Sequence, residues 1–266
     1  SKEALANDAD VIICFLGNTE IVGPYGPGTV FARYTPSLNS IRFRQWLAGT
    51  RIGQLRDQLV RATTSRAASR AQWQGMEMFI GNPIAEDSPR AKAAHSHFKD
   101  NLKRIASLAR PNQGPLVLFC TIPTNLRDAA PFGSLLSSTT RGQAFDDWKQ
   151  AFEAGTNEQA RAQYVLAVTH FNDALSIDDK HAELHFRLAL SQEAMGDADA
   201  AREHYVRARD LDTLRFRADS SMNAIVRETV IAAKSPRVLL VDAERELHRL
   251  SMSAVGCPGE EFFHEH

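Results

Sequence analysis

Three polar stretches of this 266-residue chain bring together residue types that do chemistry. The last is His264-Glu265-His266, a short distance after the apolar run Arg237–Val241 and Asp242. An acid and a histidine just past a late strand are what a serine hydrolase uses to activate its nucleophile: the acid orients the imidazole and the imidazole takes the proton. The two histidines also sit at i and i+2, one face of an extended segment, but no further ligand clusters with them and no metal is expected. The first stretch is Gly17-Asn18-Thr19-Glu20, which closes the apolar run Asp10–Leu16. In open α/β sheets such positions, just past a strand's C-terminal end, line the ligand crevice. They also suit a plain strand-ending turn, with Asn18 at positive φ and Thr19 as the cap of the next turn. The third is the loop of Asn125, Arg127 and Asp128. It should face the same crevice, or else form an Asx-type turn with an Arg–Asp pair. His95-Ser96-His97 lacks further ligands as well and reads as a solvated helix start.

The elements that must carry these groups are set by periodicity. Asp10–Leu16, Pro115–Ile122 and Arg237–Val241 are short, continuous apolar runs, as expected of parallel strands covered by helices on both faces. Helical stretches separate them. Residues 41–80 carry Ile52, Leu55, Leu59 and Ala62 at helical spacing, and residues 87–109 carry Phe98, Leu102, Ile105 and Leu108 on one stripe. The pattern predicts an α/β fold, a three-layer doubly wound parallel sheet.

Between the second and third strands, residues 143–233 contain no strand-like run and repeat at 34 residues: Ala167 with Ala201, Phe171 with Tyr205, Ala174 with Ala208, Asp178 with Asp212. A 34-residue helical repeat with small residues at fixed places resembles the tetratricopeptide repeat. The fuller copy runs from His181 to Thr213, with Leu188, Ala189, Gly196, Ala201, Tyr205 and Ala208 on the consensus packing positions. His185, Gln192 and Thr213 depart from it, and the first copy matches mainly in its second helix. One and a half repeats make a short groove, so the insertion is expected to pack on the α/β layer. A protein partner held by the repeat helices is the other reading.

The order of these parts resembles the SGNH (GDSL-type) hydrolases, in particular a bacterial branch that carries tetratricopeptide repeats. The parts are Gly17–Glu20 followed by Ile21–Gly28, then Asn125–Phe132, the repeats, and Gly256–His266. The resemblance implies an SGNH/flavodoxin-like sheet divided into residues 1–142 and 234–266 by the insertion at 143–233. It implies ester hydrolysis or acyl transfer through an acyl-serine intermediate in the parent protein, on an ester, acyl or glycan substrate. In the family's G-x-N-D block the asparagine binds the oxyanion; Thr19 stands at that position, with Asn18 beside it as a substitute donor. Glu265 falls on the acid of the D-x-x-H block, His266 is the intervening residue, and the catalytic histidine falls beyond it. The serine block has no counterpart before Ser1-Lys2-Glu3, so this chain is expected to be catalytically silent or nearly so.

Composition excludes other classes. The formal net charge is −1, so no overall field draws nucleic acid. Arg42, Arg44, Arg51, Arg56, Arg61, Arg66 and Arg70 spread around a helix with few aromatics between them and read as a solvated face, Arg42 and Arg44 being the ones suited to an anionic substrate. No run is long enough to span a bilayer and no signal peptide opens the chain, which predicts a soluble protein without fixing its compartment. Cys14, Cys120 and Cys257 form neither a disulfide framework nor a zinc ribbon. No cofactor is expected. An exposed sheet edge is the feature that could drive self-association into a homo-oligomer.

Overall fold

The computed structural model describes residues 9–17, 19–23, 26, 37–63, 79–110 and 114–264. Strands β1 (Val11–Phe15), β2 (Leu116–Cys120) and β3 (Val238–Val241) form a parallel sheet in the order β1-β2-β3. The register pairs Cys14 with Phe119 and Phe119 with Leu240. The fold is α/β. A short helix α1 (Thr19–Val22) comes after β1, then α2 (Leu38–Ala48) and α3 (Arg51–Thr63). The crossover to β2 is completed by α4 (Pro89–Ala106), which Ser88 caps by accepting the Ala91 amide while Pro89 takes the first turn.

Four helices, α5 (Gln143–Ala160), α6 (Tyr164–Ile177), α7 (Ala182–Ala194) and α8 (Ala198–Leu211), stand between β2 and β3 as two antiparallel hairpins. Next comes α9 (Ser220–Ala233), capped by Asp219, and after β3 the short α10 (Ala243–Leu250). Sequence periodicity groups α9 with the insertion; its Met222 and Val226 in fact join Phe98 and Leu102 of α4 over Cys14, Val117, Phe119 and Val238, the main core.

Both α4 and α9 lie on one face of the sheet. The strand order explains this: crossovers of one hand that step in one direction set their helices on the same side. Continuous apolar runs predict cover on both faces. Among the described residues the second face is open instead, with Val11, Ile13, Phe15, Leu239 and Val241 exposed, Ile13 by 66%. The stretch 41–80 also differs from expectation. Its helix breaks at Gly49-Thr50, where Thr50 Oγ1 donates to the Leu47 carbonyl and accepts the Gly53 amide to start α3. The α3 stripe of Ile52, Leu55 and Leu59 is exposed rather than packed. No helix of the described residues is long and apolar enough to cross a membrane.

The hairpins pack through the repeat positions. Ala167, Phe171, Ala174, Leu184 and Leu188 join Trp148 in one core, and Ala189, Ala201 and Tyr205 form another with Leu126, Val255 and Cys257. Ala208 is buried, and Gly196 turns from α7 to α8 at φ +83°. The first hairpin has a complete first helix, α5, although its match to the repeat lies mainly in the second. Its Gly155, 34 residues before Ala189, marks the closest approach: a Cβ there would stand 2.5 Å from Phe171 Cδ1.

Candidate functional site

The C-terminal ends of the three strands converge on one rim. After β1, Gly17 presses its backbone against the β2 exit; a Cβ on it would meet Ile122 Cγ1 at 3.0 Å and Ala218 Cβ at 3.1 Å. The Glu20 amide donates to the Gly17 carbonyl and opens α1 at Thr19. Burial pushes the Glu20 carboxyl above its usual range, against a 3.4 Å hydrogen bond from Asn101 Nδ2. Asn18 lies outside the described residues.

After β2, Thr121 Oγ1 donates to Asp242 at 3.0 Å and accepts the Glu244 amide, tying the ends of β2 and β3 together. Asp242 caps α10 and receives Arg227 through both its oxygens; these bonds hold its carboxyl down at about 2. Asn125 is buried, and its Oδ1 accepts the Asp128 amide three residues on, which closes the turn in the manner of a helix cap. Arg127 grips Asp128 through Nε and Nη2, lowering that carboxyl, and reaches Glu261.

The loop of Asn125 to Asp128 is also where the chain's last described segment docks. The Leu126 amide donates to the Pro258 carbonyl and Asp128 Oδ2 accepts the Glu260 amide. Gly259 is required there, because a Cβ would overlap Asp128 Oδ2. The other side of the segment rests on the helices, with Arg202 Nε donating to the Val255 carbonyl at 2.7 Å. Glu265 and His266, next in the chain, lie outside the described residues.

Sequence reasoning misses the densest part of the rim, Asp210–Asp219, which crosses from α8 to α9. Arg209, Arg215 and Arg217 are each buried. Arg217 Nη1 donates to the Asn125 and Ala129 carbonyls and its Nη2 to Asp212, while burial pulls its pKa down. Arg215, at φ +39°, donates to Asp219 and to the Ile84 carbonyl. A signal does exist in the sequence: Asp210, Asp212, Arg215, Arg217 and Asp219 put three acids and two bases within ten residues, too many charges for a plain helix connection.

His95 corrects a second expectation. It lies within α4 rather than at a solvated helix start, and its Nε2 donates to Asp219 Oδ2 at 2.9 Å. Burial would raise the Asp219 carboxyl, but His95, Arg215 and the Met222 amide together bring it below its usual value. Burial lowers His97, helped by the charge of Arg42.

The rim binds charge tightly and leaves little of it available for chemistry. Apart from Glu20, which Asn101 holds, its carboxylates are spent on arginines, histidine and backbone amides. Among the described residues no serine or threonine hydroxyl is hydrogen-bonded to a histidine, and no group of three or more metal-ligating side chains occurs. Burial pushes the Cys257 thiol up to about 12 and Cys14 to about 11, so neither is a nucleophile at neutral pH. Comparison with protein-family models, with curated proteins and with solved structures gives no match.

Proposed function

We propose that this chain is the scaffold of an SGNH-type ester hydrolase or acyltransferase, and that as it stands it is catalytically silent. The observation that carries the reading is the docking of the 256–264 segment onto Leu126, Arg127 and Asp128, beside the β2 exit that Gly17 touches. Segments far apart in sequence, each resembling one block of that family, thereby meet at one end of a parallel sheet. In this reading Glu265 is the acid of the triad, and the Thr19 hydroxyl serves as an oxyanion donor in place of an amide. The finer three-layer arrangement belongs to the same reading.

The test is turnover of a short-chain p-nitrophenyl ester. This chain should not exceed a heat-treated control. The open reading frame that contains it, expressed in full, should hydrolyse the ester and lose at least tenfold in rate when Glu265 becomes Gln. An inert full-length product would sink the hydrolase reading, and a turning-over 266-residue chain would sink the claim of silence.

A second reading, a protein-interaction module on the helices, is favoured by one observation: Val165 and Leu166 at the start of α6 are exposed, as are Leu190 and Met195 on the second hairpin. A pull-down that loses a specific partner when residues 143–211 are deleted would favour it.

A further inference from the structure

At the end of the sheet away from the rim, the C-terminal turns of α4 and α9 bound a groove of about 480 Å³. That volume lies within the range of small-molecule sites. Ala106, Ala109 and Thr229 form its buried floor, and Ala232, Ala233 and Pro236 its walls. The lining hydroxyls are already committed. Thr229 Oγ1 donates to the Ile225 carbonyl, Ser107 Oγ to Arg104 and Ser235 Oγ to Ala109. Among the described residues the side chains that face the groove are therefore apolar, apart from two cations.

Those cations are Lys103 and Lys234, both exposed, and neither forms an ion pair with a carboxylate among the described residues. A lysine near a helix C-terminus is favoured by the helix dipole. The dipole accounts for each charge alone but not for an apolar groove lying between two of them. An apolar trough lined by two lysines is complementary to a molecule with a hydrocarbon body and one anionic end. Among the described residues the lining offers no arginine fork to a phosphate, which leaves a single carboxylate as the better match.

We propose that this groove binds a medium-chain carboxylate, its chain over Ala106, Ala109 and Ala233 and its head group between Lys103 and Lys234. The site is separate from the rim and independent of the hydrolase reading. The open apolar sheet face is the competing place for such a ligand, so the experiment must distinguish the two.

The test is irradiation of the intact chain with a diazirine-bearing decanoate, followed by mass-spectrometric mapping of the labelled peptides. Label should fall on residues 103–109 and 229–236. The double variant Lys103→Ala, Lys234→Gly should reduce it; glycine suits the φ of +46° at position 234. Two exposed charge pairs at a few tenths to one kcal/mol each correspond to about a fivefold loss of labelling at sub-saturating ligand. The matching decanol probe should be insensitive to the substitution. Label confined to residues 11–15 and 116–120, or equal labelling of the parent and the double variant by the acid, would overturn the proposal.

Discussion

His185 and His204 share a 2.8 Å bond between their Nδ1 atoms, inside the second hairpin. Because His185 Nε2 faces the Asp179 carbonyl, which can only accept, His185 carries its proton on Nε2 and His204 donates from Nδ1. Burial is the main cause that lowers the His185 pKa to about 4, with the charges of His204 and Arg207 acting in the same direction. An unfolded histidine titrates near 6.5, so between those values the unfolded chain holds the extra proton. The stability this residue confers above pH 6.5 is therefore lost as the pH falls towards 4, by roughly 3 kcal/mol at most. Urea midpoints at pH 7.5 and pH 5.0 should differ, and His185→Gln should narrow the gap. An unchanged gap would assign the acid sensitivity to other groups.

Arg217 supports a different prediction at the same scale. Its guanidinium ties Asp212 to two carbonyls of the loop after β2. Arg217→Ala leaves two carbonyls without this donor and the buried Asp212 carboxylate with backbone amides but no counter-charge, a loss of about 3 kcal/mol in urea unfolding. Lysine should recover little of it, since one ammonium cannot reproduce the planar fork.

At the scale of elements, the helix pairs are held by small residues. Gly155→Ala should cost about 1–3 kcal/mol, because the added methyl meets the Phe171 ring. Phe171→Leu in the same chain should return part of that cost, and simple addition of the two losses would argue against a direct clash. Gly155 is legible from the same 34-residue offset that identifies Ala167 and Ala201, because small residues recur where helices touch. The strands are legible because each apolar run is short, β-branched or aromatic in part, and bounded by turn residues.

What covers each element is not legible. Ile52, Leu55 and Leu59 have the spacing of a buried stripe, and spacing alone cannot say whether a partner lies against it. Likewise nothing in His95-Ser96-His97 announces Asp219, a partner 124 residues away. At the rim, Asn125 and Arg127 are readable as a loop past a strand, but their turn-forming roles depend on Asp128 and on a segment more than 130 residues later.

For the whole molecule, the open sheet face governs behaviour in solution. A patch centred on Ile13, Phe15 and Val241 is of the kind that recruits other apolar surfaces. Ile13→Thr with Phe15→Thr should reduce binding of an apolar fluorescent dye while moving the melting temperature by only ~1–2 °C, because exposed side chains contribute little to the folded state. Light scattering should show less association in the double variant. A large fall in melting temperature would mean that the face is covered in solution.

Asp178 and Asp212 stand at equivalent places in the two hairpins, and both take hold of the same connecting segment. Asp178 accepts the Ser137 amide, and Asp212 accepts those of Phe132 and Gly133. The segment thus acts as a ruler. Its anchoring points are a few residues apart, an extended span of roughly 13–17 Å, and each anchors one hairpin. Repeat arrays commonly grow and shrink by whole units over evolution. Here a gained unit would bring an aspartate without a strap amide, and a lost unit would leave a strap amide without its aspartate, so the number of repeats is tied to the length of the strap that measures it.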